Sequence, residues 1–169
     1  MKILKTKRLL LREICESDAE FILDLLNQPS FIKFIGDRGV RTVQDAINYI
    51  ESRFKKIYSN FGFGLYLVEL KKEKTPVGIC GFVKRDSLPE PDIGFAFLPQ
   101  YGGQGFAFES AEAVLKYGRD VLGLKRILAI ATKDNERSEK LLGKIGFKFE
   151  SLIRLPYDDE ELKLFLSDI

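Results

Sequence analysis

The stretch FLPQYGGQGFAFESAEAVL, Phe97–Leu115, carries three glycines within four residues, at Gly102, Gly103 and Gly105. A strand-like run precedes them and a helix-like run follows. A helix start leaves backbone N–H groups without intrahelical partners, and its dipole favours an anion there. Glycine lets the chain curl so that successive amides converge, and it removes the Cβ atoms that would block a phosphate. Strand, glycine turn and helix in that order make a phosphate cradle in principle; the competing reading is a plain turn that feeds a core helix.

The surrounding pattern narrows the choice. No Gly-Lys-Ser/Thr follows, so this is not a P-loop, and the third glycine of a dinucleotide fingerprint falls on Phe108. A dinucleotide-binding half also needs a βαβ order. Upstream stand instead three runs rich in aromatic and β-branched residues, Phe63–Leu70, Pro76–Val83 and Asp92–Leu98, joined by KKEKT and DSLPEP. Links this short predict an antiparallel meander.

The rest of the chain is read the same way. Residues 8–14, RLLLREI, predict a first strand. Ser17 with Glu20 forms a capping-box pattern for a helix that Pro29 closes. Thr42 caps a second helix, with Val43, Ala46, Ile47, Ile50, Phe54 and Ile57 on one face. Past the glycines, Ala107, Ala111, Val114, Leu115, Gly118, Val121 and Leu122 share a helical face. Arg126–Thr132 predicts a buried strand. Asn135 caps a short helix that Gly146 ends, and FKFES and ELKLFLS form two last strands around LPYDDE. The order is β-α-α-β-β-β-α-β-α-β-β. With no internal repeat or linker, residues 1–169 are expected to form a single α+β domain.

Composition excludes several chemistries. No histidine is present, which removes Ser-His and Cys-His nucleophilic centres and any His-ligated metal. The two cysteines, Cys15 and Cys80, fit no metal or redox spacing and are expected to be free, buried thiols. A net charge of +2 is too mild for a nucleic-acid partner. The N-terminus lacks the continuous apolar segment of a signal peptide, and no apolar run approaches the roughly 20 residues of a membrane span, so a cytoplasmic protein is expected.

Two spaced motifs resemble the GNAT superfamily of acetyl-CoA-dependent N-acetyltransferases, and within it the RimJ/RimL-like branch. The first is a strand ending in Pro followed by x-Tyr-(bulky)-Gly-x-Gly-(Tyr/Phe)-Ala-x-Glu-Ala, here Pro99, Tyr101, Gly102, Gly103, Gly105, Phe106, Ala107, Glu109 and Ser110. The second is Asn-x-x-Ser-x-x-Leu-x-x-x-Gly-Phe, here Asn135, Ser138, Leu141, Gly146 and Phe147, one residue longer before the glycine. The opening TKRLLLREI and the closing acidic hairpin also suit the branch, so the likeness spans nearly the whole chain. The chain departs from the family at Gly102, where Trp, Arg or Gln is usual, and at Leu142, where many members place a Tyr.

The resemblance implies the GNAT fold: a mixed, mostly antiparallel sheet of about six to seven strands flanked by helices. It implies acetyl-CoA as cofactor and an amine acceptor, either a small molecule or a protein N-terminus. The diphosphate would rest on backbone amides of Gly103, Gln104, Gly105, Phe106 and Ala107. The pantetheine arm would pair with Phe97 and Leu98, and the strand Arg126–Thr132 would have to splay from Asp92–Leu98 to admit it. Asn135 is a cofactor contact or a simple helix cap. Ser138 would donate a proton to the departing sulfur, with a water relay as the rival. Direct transfer needs a base for the amine, and Asp92 is the candidate, against the reading of a plain turn residue. A backbone N–H at Phe97 or Leu98 would stabilise the oxyanion. Asp37 and Arg38 would shape the acceptor pocket, and the acidic tip Tyr157–Glu161 would attract a cationic amine or be simply solvated. No metal is expected, a homodimer stays open, and a non-catalytic acyl-CoA-binding domain is the alternative function.

Overall fold

The computed structural model describes residues 2–156 and 158–169. In chain order the strands are β1 (Lys2–Lys5), β2 (Leu9–Arg12), β3 (Leu65–Leu70), β4 (Pro76–Val83), β5 (Asp92–Phe97), β6 (Arg126–Thr132), β7 (Lys148–Ile153) and β8 (Leu162–Asp168). They form one eight-stranded sheet in the order β1-β2-β3-β4-β5-β6-β8-β7. All neighbours are antiparallel except β5 and β6. β1 is the strand beyond the expected six to seven. Its sequence, KILK, sets two adjacent apolar residues between lysines, with no period-2 alternation and only four positions in which to show one.

Among the described residues six α-helices flank the sheet: α1 (Ala19–Leu26), α2 (Pro29–Phe34), α3 (Val43–Tyr49), α4 (Lys56–Phe61), α5 (Phe106–Asp120) and α6 (Glu136–Lys144). Pro29 opens α2 instead of closing α1, because a ring that fixes φ and lacks an N–H fits the first helical position. Ser17 is not a cap. It lies inside a 3-10 turn, Glu16–Asp18, where the Asp18 carboxylate accepts the Cys15 N–H at 2.9 Å. Thr42 does cap α3, reciprocally with Asp45 at 3.0 and 3.1 Å. Residues Ile50–Lys55 wind as a π-helix between α3 and α4, and Val43 at the head of the predicted face is exposed. Cys80 is buried as expected, but Cys15 is exposed.

Side-chain alternation along the strands splits the core in two. On one face α5 and α6 pack Ala111, Val114 and Leu142 onto Leu9, Leu11, Val68, Phe82 and Ile127. On the other, α1, α2, α3 and the π segment pack Ile22, Leu25, Phe31, Ala46 and Ile50 onto Leu67, Ile79 and Leu98. β4 approaches the start of β3 closely at Gly81, the partner of Leu65. A Cβ at Gly81 would collide with the Gly64 carbonyl oxygen and lie 2.8 Å from the Leu65 Cα. Neither backbone group can swing aside as a side-chain tip can.

One junction in the sheet is incomplete. β5 and β6 pair in parallel only at Asp92↔Leu128, reinforced by the Leu128 N–H donating to the Pro91 carbonyl at 2.9 Å. Past that pair the ladder stops, and β6 continues instead against β8 from Arg126 to Thr132. Among the described residues no helix is long and apolar enough to cross a membrane.

Two glycines predict opposite outcomes. Gly81→Ala overpacks a backbone contact and should lower the unfolding free energy by about 1–3 kcal/mol or more. Gly143, exposed in α6 with nothing within 4 Å of an added Cβ, should accept alanine with a gain of up to about 1 kcal/mol. Urea denaturation of the two variants checks both signs.

Candidate functional site

The gap between β5 and β6 has a chemical polarity fixed by strand geometry. Successive residues of a strand turn their N–H and C=O groups to opposite edges. The Leu98 N–H donates to the Val77 carbonyl at 2.9 Å, on the β4 side, while the Pro91 carbonyl faces β6. Phe95 and Phe97 therefore present their backbone groups to the gap, and Leu98 does not. Of the two residues expected to line the pantetheine arm and the oxyanion position, only Phe97 has an amide free to do so. Leu98 is a buried member of the core under α1–α3. The Phe97 ring lies across Gly78 of β4, where an added Cβ would come within 2.7 Å of its Cγ.

The chain leaves β5 through a 3-10 turn, Pro99–Tyr101, into the glycine segment at the open end of this gap. Gly103 has φ +74° and Gly105 has φ +81°, left-handed values that residues with a Cβ adopt at a cost. A Cβ at Gly103 would touch nothing within 4 Å, so the requirement there is conformational. The first intrahelical bond of α5 runs from the Glu109 N–H to the Gly105 carbonyl at 3.0 Å. The amides of Gly105 to Phe108 are thus the free donors of this helix.

A carboxylate in that first turn would repel an anion, and the fold neutralises it. Glu109 accepts hydrogen bonds from the Thr6 hydroxyl at 2.6 Å, the Arg8 N–H at 2.8 Å and the Arg8 Nε at 2.7 Å. The same guanidinium donates through Nη1 to the Gln104 carbonyl at 2.8 Å and stacks 4.5 Å above the Phe106 ring. Partial burial pushes the Glu109 carboxyl up, but the bonds from Thr6 and Arg8 outweigh it and hold the group below the usual carboxylate range. Sequence reasoning gave no role to this pair. The available signal was an acidic residue in the first turn of a helix expected to face an anion, an arrangement that calls for a cationic partner.

The second motif arrives at the same end. The Asn135 side-chain oxygen accepts the Ser138 N–H at 3.2 Å, so Asn135 is the cap of α6. Ser138 is half-buried, and among the described residues its hydroxyl makes no hydrogen bond. The Arg137 guanidinium, from the first turn of α6, lies against Gly102 of the glycine segment. Leu142 is packed in the core and takes no part. Thr132, the last residue of β6, has a buried hydroxyl with no hydrogen-bond partner among the described residues.

Asp92 is placed differently from these groups. It sits at the closed end of the gap, where β5 and β6 still pair, roughly 17 Å along the strand from Phe97 at the usual rise per residue. Burial pushes its carboxyl up to about 6 against the pull of Arg85, whose Nε donates to it at 3.0 Å. Asp37 is tied up within its own loop by Arg41 at 2.5 Å and the Gly39 N–H at 2.8 Å. Arg38 lines a shallow polar hollow of about 290 Å³ with Asp45, Asn48 and Ser52. In the acidic tip, Glu161 pairs with Lys133, while Tyr157 lies outside the described residues.

The profile of the acetyltransferase (GNAT) domain matches residues 8–148, and the chain belongs to that family. It is 32% identical over 164 residues to the uncharacterized N-acetyltransferase YoaA of Bacillus subtilis (strain 168), covering 92% of each chain. It is 32% identical over 101 residues to the [ribosomal protein uS5]-alanine N-acetyltransferase of Escherichia coli (strain K12), covering 59% of this chain and 50% of that one. The structure of RimL, a ribosomal L7/L12 α-N-protein acetyltransferase in complex with coenzyme A, superposes with a TM-score of 0.86 at 17% identity, over 100% of this chain and 98% of that one. The protein is therefore an N-acetyltransferase that uses acetyl-CoA. Its own residues fit that donor: an unpaired strand edge leads to a left-handed glycine turn with free amides.

The Glu109 anchor has a defined pH signature. A carboxyl whose pKa is depressed by folding stabilises the native state above its unfolded value and loses that contribution as pH falls through the folded one. Glu109→Gln should therefore melt below the wild type at pH 7, and the difference should shrink as pH drops below the ordinary carboxylate range. Thermal melts of the two proteins at pH 7 and at a pH below the ordinary carboxylate range test this.

Proposed function

We propose that this enzyme moves an acetyl group directly from acetyl-CoA to a primary amine, as a RimJ/RimL-like acetyltransferase acting on a protein N-terminus or a small-molecule amine. The observation that carries this reading is the break in β5–β6 pairing beside the glycine turn. Identity to an enzyme named for a ribosomal protein's alanine supports the protein N-terminal acceptor.

Acetyl-CoA, when bound, supplies a thioester carbonyl and a thiol leaving group. Gly103, Gln104, Gly105, Phe106 and Ala107 hold its diphosphate through their amides, where α5 also presents the positive end of its dipole. Phe97 offers its unpaired amide along the open strand edge, both to the pantetheine arm and to the developing oxyanion. Asn135 has its oxygen committed to the cap, so it contacts the cofactor through its side-chain nitrogen. Ser138, whose hydroxyl has no competing partner among the described residues, is the proton donor on the thiol side. Asp92 takes the amine's proton at its carboxylate through intervening water, because direct contact does not span the length of β5. With a pKa of about 6 this carboxyl is mostly ionised at neutral pH and remains a usable base.

Two measurements test the reading. Gly105→Leu should abolish acetyl-CoA binding in a calorimetric titration while the circular dichroism spectrum stays native. Unchanged affinity would put the cradle elsewhere, and wild-type binding without thiol release across a panel of amines would favour a non-catalytic acyl-CoA-binding domain. For the base, wild-type kcat/KM should rise with pH through about 6 as Asp92 deprotonates. Asp92→Asn should lower it about a hundredfold and remove that limb. A limb that persists in the variant would rule Asp92 out.

A further inference from the structure

We propose that Arg137 is a diphosphate-binding side chain of the acetyl-CoA site, seated in the space that Gly102 leaves open; this rests on the reading of Gly103–Ala107 as the diphosphate cradle. The glycine at 102 is not needed for backbone conformation. Its φ of −68° and ψ of 155° are open to any residue. What a side chain there would meet is Arg137: an added Cβ would lie 3.2 Å from Nη2, 3.8 Å from Nη1 and 3.2 Å from the Pro99 carbonyl oxygen. A bulky residue at 102 would have to push the guanidinium off the turn.

The charge balance of the turn leaves Arg137 without an anion. Arg8, on the other side, is matched by Glu109 and the Gln104 carbonyl. Arg137 makes no hydrogen bond or ion pair among the described residues, and the nearby Glu139 is paired with Lys163 at 2.9 Å. Its guanidinium reaches from the first turn of α6 to Gly102, in the segment that leads into the 15-residue α5, and each helix carries the positive end of its dipole at that terminus. Like potentials brought together in this way are relieved by an anion between them. A planar guanidinium fork suits a phosphate in two-point contact, which backbone amides alone do not supply.

Isothermal titration with coenzyme A should show Arg137→Ala weakening Kd about tenfold at low salt, with Arg137→Lys recovering part of the loss. The melting temperature should not move, since Arg137 has no hydrogen-bond or ion-pair partner among the described residues. The same tenfold ratio should appear with dephospho-coenzyme A, which keeps the diphosphate and lacks the 3′-phosphate. Equal affinity of wild type and Arg137→Ala overturns the assignment, and so does a ratio that vanishes with dephospho-coenzyme A. A wild type that binds neither ligand overturns the cradle reading itself, a result distinguishable from loss in the variant alone.

Discussion

The hydrogen bonds that β5 does not make toward β6 are the constraint on which the site depends. An interior strand with one unpaired edge is costly unless water or a ligand satisfies its amides and carbonyls. The fold confines the fault to one stretch. β5 keeps its full ladder with β4, and β6 keeps its full ladder with β8. The sheet is thus rigid on both sides of a slot whose backbone groups, at Phe95 and Phe97, are oriented before any ligand arrives. Such prior orientation lowers the cost of binding.

The glycine turn is held by chain distant in sequence. Arg8 and Thr6, from the turn between β1 and β2, grip Glu109 and Gln104. Arg137, from α6, lies against Gly102. Two separate segments therefore meet around one loop of a few residues. The first contact cancels an acidic charge that would weaken anion binding. The second adds a positive one. In the proposed site, made largely of backbone amides, the charge balance is set by side chains that lie outside the glycine motif.

Much of this was legible before the fold was known, because the governing signals are local. The hairpin links, the cap at Thr42, the strand Arg126–Thr132 and the glycine turn at the head of α5 each follow from short-range chemistry. The misreadings share one cause. β1 is too short to show a period, Pro29 starts a new helix where a stop was expected, and Ser17 lost its capping role to Asp18, which Arg12 also engages in two hydrogen bonds at 2.8 and 2.9 Å. In each case a neighbour or a tertiary partner decided between two locally acceptable outcomes. Leu98 failed as an amide donor for a similar reason: only the register with Val77 reveals which edge it faces.

Sequence alone determined the α+β order, the bare turn at the head of α5 and the absence of imidazole chemistry, since these are properties of residue type and spacing. It also brought the two motifs to notice without any means of relating them. Tertiary structure decided that β5 and β6 part after one pair, that Phe97 faces the opening, that Asp92 lies at its far closed end, and that Arg8 and Arg137 flank the turn. The physical reason is range. Dihedral preference and hydrophobic period act over a few residues, whereas an unpaired strand edge and a cluster of charges exist only once remote segments have packed.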